Sequence, residues 1–171
     1  MTRPATLRRA SAKDAAALAG VARATFTETF GMLYSAADLA TFLEQHTPDD
    51  WAREIDDPRY AVMVVEDGHA AVGYIKLGPP RLPFTPPQGA IELRQFYLLQ
   101  PWQGGGMGPK MMEWALEEAR ARGMDEMYLS VFIDNERARR FYVKYGFEDV
   151  GRYAFMVGDH EDTDVVMRRA L

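Results

Sequence analysis

Gln103-Gly104-Gly105-Gly106-Met107-Gly108 is the stretch on which the reading of this chain turns. It follows Ala90 to Leu99, which reads as a strand, and precedes Pro109 to Arg122, which reads as an amphipathic helix. In that helix Met111, Met112, Ala115, Leu116 and Ala119 share one face, and Gly123 caps the end. Glycines just before a helix let the backbone approach a ligand closely and leave the N–H groups of the first turn free. Those donors, at the positive end of the helix dipole, suit a phosphate-bearing anion such as a pyrophosphate. A glycine turn without a ligand is the plainer alternative. A P-loop is excluded, because Pro109, Lys110 and Met111 stand where it needs Gly-Lys-Ser/Thr. A dinucleotide fingerprint fails as well, because its third glycine falls on Pro109.

The rest of the chain builds outward from this segment. Thr6 to Ala10 forms a short strand, and Ser11 with Asp14 caps a helix that Gly31 stops. Ser35 starts a second helix, and Pro48 opens a short one that Pro58 ends. Tyr60 to Glu66 and Ala70 to Leu77 read as a hairpin about Asp67-Gly68. Gly78 to Gly89 carries five of the ten prolines and must be a stiff loop, either functional or a surface excursion. Downstream come a strand (Glu126 to Ile133), a helix from Asn135 to Gly146, and strands Phe147 to Val157 and Thr163 to Ala170 about a turn at 158–162. Apart from the short Pro48 helix, the order is β-α-α-β-β-β-α-β-α-β-β.

Composition narrows the function. With 171 residues the chain is sized for a single domain, 1–171. A net charge of −5 argues against bulk electrostatic binding of nucleic acid. No run of 18 apolar residues is present, and Met1 to Ala10 lacks the apolar core of a leader, so a cytoplasmic protein without membrane contact is expected. The absence of cysteine excludes disulfides, a thiolate nucleophile and Cys-based metal sites. His46, His69 and His160 are scattered, and no metal is expected.

The Q-x-x-G-x-G match of residues 103–108, after Phe96-Tyr97-Leu98, resembles the acetyl-CoA-binding motif of the GNAT N-acetyltransferase superfamily. Asn135-Glu136-Arg137-Ala138-Arg139-Arg140-Phe141-Tyr142-Val143-Lys144-Tyr145-Gly146-Phe147 is similar to that family's N-x-x-A-x-x-F-Y-x-K-x-G-F segment. Shorter stretches, Thr25 to Gly31 and Phe155 to Asp159 with Thr163-Asp164, resemble the bacterial spermidine/spermine acetyltransferase-like members. The resemblance implies an α/β (α+β) fold: a mixed, mostly antiparallel sheet of about seven strands flanked by helices, with a splayed strand pair at the cofactor site.

It also implies roles. The backbone of Phe96, Tyr97 and Leu98 would bond the pantetheine arm, and Gln103, Gly104, Gly105, Gly106, Met107 and Gly108 would cradle the pyrophosphate. Asn135 and Lys144 would contact the cofactor, Asn135 doubling as a helix N-cap. Tyr142 would protonate the departing thiolate, as a phenol of ordinary pKa about 10 is able to do; its other reading is a core aromatic. The amine needs a base, and Glu92 is the candidate, taken to share face parity with Arg94, Phe96 and Leu98. Glu92 paired with Arg94 as a plain strand residue is the alternative. Glu28 is the candidate for contacting a cationic acceptor. Pro109, read as the first helical residue, removes one possible phosphate donor. The implied function is acetyl transfer from acetyl-CoA to a primary amine, such as a polyamine, by direct attack in a ternary complex. The alternative is an acetyl-CoA sensor or interaction module without catalysis. A small-molecule amine partner and a monomer or homodimer complete the expectation.

Overall fold

Two-residue turns set the register at both ends of the sheet. The computed structural model describes residues 4–44 and 46–171, with every side chain among them except that of Phe155. Met1 to Arg3, part of the stretch read above for a leader, lie outside the described residues. The elements are β1 (Thr6–Arg9), α1 (Ala15–Phe30), α2 (Ala36–Leu43), α3 (Pro48–Asp56), β2 (Ala61–Asp67), β3 (Ala70–Gly78), β4 (Ala90–Leu98), α4 (Met107–Ala121), β5 (Glu126–Phe132), α5 (Glu136–Lys144), β6 (Glu148–Val157) and β7 (His160–Ala170). The sheet order is β1-β2-β3-β4-β5-β7-β6. Only β4 and β5 run parallel; every other neighbouring pair is antiparallel.

Both hairpins differ by a few residues from the sequence reading. Asp67 pairs with Ala70, so the turn is Gly68-His69 rather than Asp67-Gly68. Asp67 then serves the fold elsewhere, accepting a 2.8 Å bond from the Trp102 indole N–H. Val157 pairs with His160, so β7 starts three residues earlier than expected and the turn is only Gly158-Asp159. Gly158, at φ +59°, meets the backbone demand of such a tight turn, and a five-residue loop is unnecessary.

Helices cover the two faces of the sheet. On one, Met111, Met112, Ala115 and Leu116 of α4 and Tyr142 of α5 pack on Ile75, Leu93, Leu129, Val165 and Met167. On the other, Leu18 and Ala22 of α1 and Trp51 of α3 pack on Val62, Val64 and Tyr74. A third cluster, Phe26, Phe30, Tyr34 and Val157, closes that second face toward the β6–β7 hairpin. No helix among the described residues is long and apolar enough to cross a membrane.

Candidate active site

β4 and β5 are joined by only three rungs, Ala90 with Glu126, Ile91 with Met127 and Glu92 with Tyr128. Beyond them the strands part. β5 stays with β7 as far as Phe132 opposite Asp164, while β4 stays with β3 as far as Leu98 opposite Gly73. A cleft of about 910 Å³ opens in the gap and reaches both faces of the sheet. The splayed pair expected from the sequence is therefore present.

The open edge of β4 offers unpaired backbone. Leu99 donates to Val72 of β3 at 2.9 Å, so by antiparallel alternation Tyr97 also turns its backbone toward β3. Phe96 and Leu98 turn theirs toward the gap. Of the three residues expected to hold a ligand through the main chain, Tyr97 is thus committed elsewhere. The Leu98 carbonyl is also partly engaged, accepting a 2.6 Å bond from the Gln103 side-chain amide. Gln103 ties the glycine turn to the strand, and its Oε1 accepts from Arg137 on α5.

The glycine turn fits an anion. Gly104 and Gly106 have φ of +79° and +86°, and a Cβ on either would project into open space. The N–H groups of Gly104, Gly105 and Gly106 donate to no protein oxygen among the described residues. Because Gly106 adopts the left-handed conformation, the helix starts at Met107, two residues earlier than the sequence suggested. Pro109 is therefore the third helical residue and not the first. Its missing N–H still falls among those that a helix leaves unpaired. Met107 and Gly108 present their N–H groups as part of the first turn, while the Met107 side chain is core. Gln103, Gly104, Gly106 and Gly108 border the cleft, whereas Gly105 and Met107 do not. Asn135 caps α5 through a 3.3 Å bond from Ala138 N–H and also borders the cleft, as does the exposed Lys144.

Strand parity fails at Arg94. Lys76 pairs with Gln95 and Leu77 with Leu93, so Arg94 is an extra residue without a partner on β3. This bulge reverses the side-chain alternation. Leu93 before it and Phe96 and Leu98 after it face α4 and α5. Glu92 instead shares the other face with Tyr97, opposite Tyr128 on β5. Glu92 is buried, 5% exposed, and its Oε2 accepts from the Arg81 N–H at 2.9 Å and faces Arg94 Nε at 3.5 Å. Its Oε1 has no protein donor among the described residues. Arg81 belongs to the proline-rich loop, which thereby forms one wall of the cleft. Glu28 lines the cleft from α1 and accepts from the Gln100 N–H at 3.2 Å.

Tyr142 approaches from the opposite face. It is buried against Phe96, Phe141 and Phe147, and its hydroxyl bonds to no protein group among the described residues. Burial, with the nearby Tyr97 phenol second, pushes its pKa well above the ordinary tyrosine value. It stays a neutral O–H donor.

Several cleft residues went unassigned in the sequence. Phe26, Phe30, Tyr34, Phe42 and Phe132 line one end. Asp164, 7% exposed, stands there on β7 beside Tyr153 and Ser130. The sequence placed it in the Thr163-Asp164 pair of the subgroup resemblance without a role, and its other signal is an acid running directly into the apolar strand segment Val165-Val166-Met167. Burial first, then the charge of Asp162, raises its pKa to about 6.

Comparison with known proteins agrees with this architecture. The acetyltransferase (GNAT) family matches residues 22–147. An uncharacterized N-acetyltransferase of Lactobacillus delbrueckii subsp. lactis is 32% identical over 165 residues, covering 94% of each chain. An uncharacterized N-acetyltransferase of Mycobacterium tuberculosis is 32% identical over 161 residues, covering 92% of this chain and 98% of its own. The spermine/spermidine N(1)-acetyltransferase of Bacillus subtilis matches 39% of this chain at 32% identity. The PaiA N-acetyltransferase of Thermoplasma acidophilum, solved with coenzyme A, superposes with a TM-score of 0.81 over 99% of this chain and all of its own, at 20% identity. The splayed strands, the glycine turn and the matched relatives lead to one assignment: the chain is an acetyltransferase of the GNAT family.

Proposed function

We propose that this enzyme moves the acetyl group of acetyl-CoA to a primary amine by direct attack within a ternary complex. The observation that carries the reading is the gap between β4 and β5, which has the Tyr142 hydroxyl on one face and the free Oε1 of Glu92 on the other. The donor enters from the α4–α5 side. Its pyrophosphate meets the N–H groups of residues 104–108, its pantetheine runs along the open edge at Phe96 and Leu98, and Asn135 and Lys144 lie beside it. The acceptor enters from the α1–α2 side.

The proton balance follows. An alkylammonium gives one proton to Glu92 Oε1, directly or through water, and the free amine attacks the acetyl carbonyl. The C–N bond forms, the C–S bond breaks, and Tyr142 protonates the leaving sulfur. The surplus proton on the new amide nitrogen restores Tyr142. The chain has no cysteine to carry the acyl group, which favours the direct route.

A polyamine is the proposed acceptor type. Glu28, Glu92 and Asp164 in the cleft support a cationic substrate, and the partial likeness to the spermine/spermidine enzyme agrees. A single domain over residues 1–171, working in the cytoplasm, completes the proposal. The test is release of free CoA thiol from acetyl-CoA against a panel of amines, run alongside thermal unfolding with and without acetyl-CoA. Turnover with a polyamine supports the proposal. Stabilisation by acetyl-CoA with no amine accelerating thiol release instead identifies a binding module.

A further inference from the structure

Three carboxylates border the cleft, and they are not equivalent. Glu92 faces Arg94 and an N–H, and Glu28 accepts an N–H of the chain. Asp164 has no lysine, arginine or histidine paired with it among the described residues, although it is 93% buried by its 7% exposure. The Tyr153 hydroxyl on β6 and the Ser130 hydroxyl on β5 hydrogen-bond it, and Asp162 on its own strand, Tyr97 on β4 and Tyr34 after α1 stand around it. Asp162 is held by the Tyr34 hydroxyl and by His160 Nε2 at 3.3 Å. Two neutral hydroxyls satisfy part of this buried carboxylate but leave its charge unbalanced, and the described residues supply no cation to balance it.

The sheet register places this carboxylate on the acceptor side. Glu92 stands opposite Tyr128, Phe132 opposite Asp164, and Asp164 opposite Tyr153, so all share the face away from α4 and α5. The surrounding wall is aromatic. Phe26 stacks on Phe42 with ring centroids 4.2 Å apart, and Phe30 meets Phe132 edge-on at 5.9 Å. Rings of this kind cover hydrocarbon and attract a cation by their faces. Gln95 also borders the cleft, and its buried Oε1 has no donor among the described residues.

We propose that Asp164 is the acceptor-binding carboxylate, the counter-charge that holds the substrate's ammonium group at the aromatic end of the cleft. This inference rests on the proposed transfer to an amine, and it gives Asp164 a role separate from proton removal by Glu92. It makes Asp164 a determinant of specificity for charged over uncharged amines.

The test uses Asp164→Asn, with 1,4-diaminobutane as the charged acceptor and 2,2,2-trifluoroethylamine as one largely uncharged at neutral pH. Loss of a desolvated charge pair is expected to raise KM for 1,4-diaminobutane by roughly thirtyfold or more. KM for acetyl-CoA and turnover of the fluorinated amine are expected to stay as in the wild type. Thermal stabilisation by acetyl-CoA checks that the variant folds. An independent readout needs no variant: wild-type KM for 1,4-diaminobutane should rise as pH falls through about 6, where Asp164 takes up a proton and loses its charge. His160→Gln should leave that profile in place. An unchanged KM in Asp164→Asn, an equal rise for both amines, or a wild-type KM flat across that range overturns the proposal. Wild-type enzyme that turns over no amine at all overturns the acetyl transfer itself.

Discussion

Glu92 and Tyr128 form the last rung that joins β4 to β5. The residue that ends the pairing is also the one whose carboxylate braces the neighbouring loop, through Arg81 N–H, and the bulged Arg94. The two roles separate by substitution. Both changes remove the counter-charge of Arg94, whose side chain is 15% exposed. Glu92→Gln keeps a neutral acceptor for the Arg81 N–H and should cost about 2 kcal/mol, whereas Glu92→Ala loses that acceptor as well and should cost about 3 kcal/mol. Both should lower kcat by about a hundredfold through loss of the Oε1 base. Denaturant unfolding and steady-state kinetics read the two effects. An unchanged kcat in Glu92→Gln would assign proton removal to water alone.

Tyr142→Phe deletes a buried hydroxyl that has no protein partner among the described residues, so stability should change by under about 1 kcal/mol. Loss of the acid for the leaving thiolate should cost kcat about 10²-fold or more, with little change in the KM for acetyl-CoA. In the wild type the raised phenol pKa should keep this donor protonated at pH 10, where an ordinary tyrosine is half ionised. The unfolded chain loses this proton first, so the tyrosine makes stability fall as pH climbs past 10. A kcat that declines through pH 9–10 in step with a normal phenol, or a Tyr142→Phe enzyme of wild-type kcat, removes the residue from the acid role.

The chemistry-bearing spans were legible where they are local. The strand, the glycine turn and the helix follow one another in the chain, so their spacing alone pointed to an anion site, while Asn135 and Tyr142 lie in one short segment and took their expected roles from its family resemblance. What escaped depends on pairing. Parity along β4 assumes an unbroken period of two, and the extra residue at Arg94 reverses it between Glu92 and Phe96. The early start of α4 turns on a left-handed Gly106, a backbone choice that glycine permits but does not announce. Asp164 acquires its setting from β5, β6, β7 and Tyr34, which only the folded sheet brings together.

Away from the cleft, β1 is fixed by a charge cluster with a definite acid response. Arg8 donates to both oxygens of Asp14, at 2.8 and 2.9 Å, and also to Glu66 on β2. The hydrogen bonds from Arg8 lead the effects that lower the Asp14 pKa to about 2, against 3.8 ordinarily. A depressed carboxylate stabilises the fold above its unfolded pKa and loses that contribution as pH falls toward the folded one. Arg8 is 40% exposed and screened, so the contribution is about 1–2 kcal/mol. Asp14→Asn should lose that amount at pH 7 and flatten the stability curve between pH 4 and 2. Chemical denaturation across that range measures it, and a variant that keeps the wild-type slope would assign the acid response to other carboxylates.

Neighbouring glycines of the turn should answer differently to the same change. Gly106 sits at φ +86°, where an alanine costs about 1–2 kcal/mol, and the misplaced turn would also draw the Met107 and Gly108 N–H groups off the ligand. Gly105 has no positive φ, and a Cβ there meets nothing closer than the Trp102 carbonyl at 3.9 Å. Gly106→Ala should therefore lower the melting temperature without ligand and reduce the further rise that acetyl-CoA produces. Gly105→Ala should leave the ligand-free melting temperature within error of the wild type. Any loss of acetyl-CoA stabilisation in Gly105→Ala then reports close approach of the pyrophosphate to that backbone, because no folding defect accompanies it. If instead both alanines melt alike and both respond fully to acetyl-CoA, residues 104–108 do not cradle the phosphates, and the anion must be held by side chains such as Lys144 and Arg137 at the edge of the cleft.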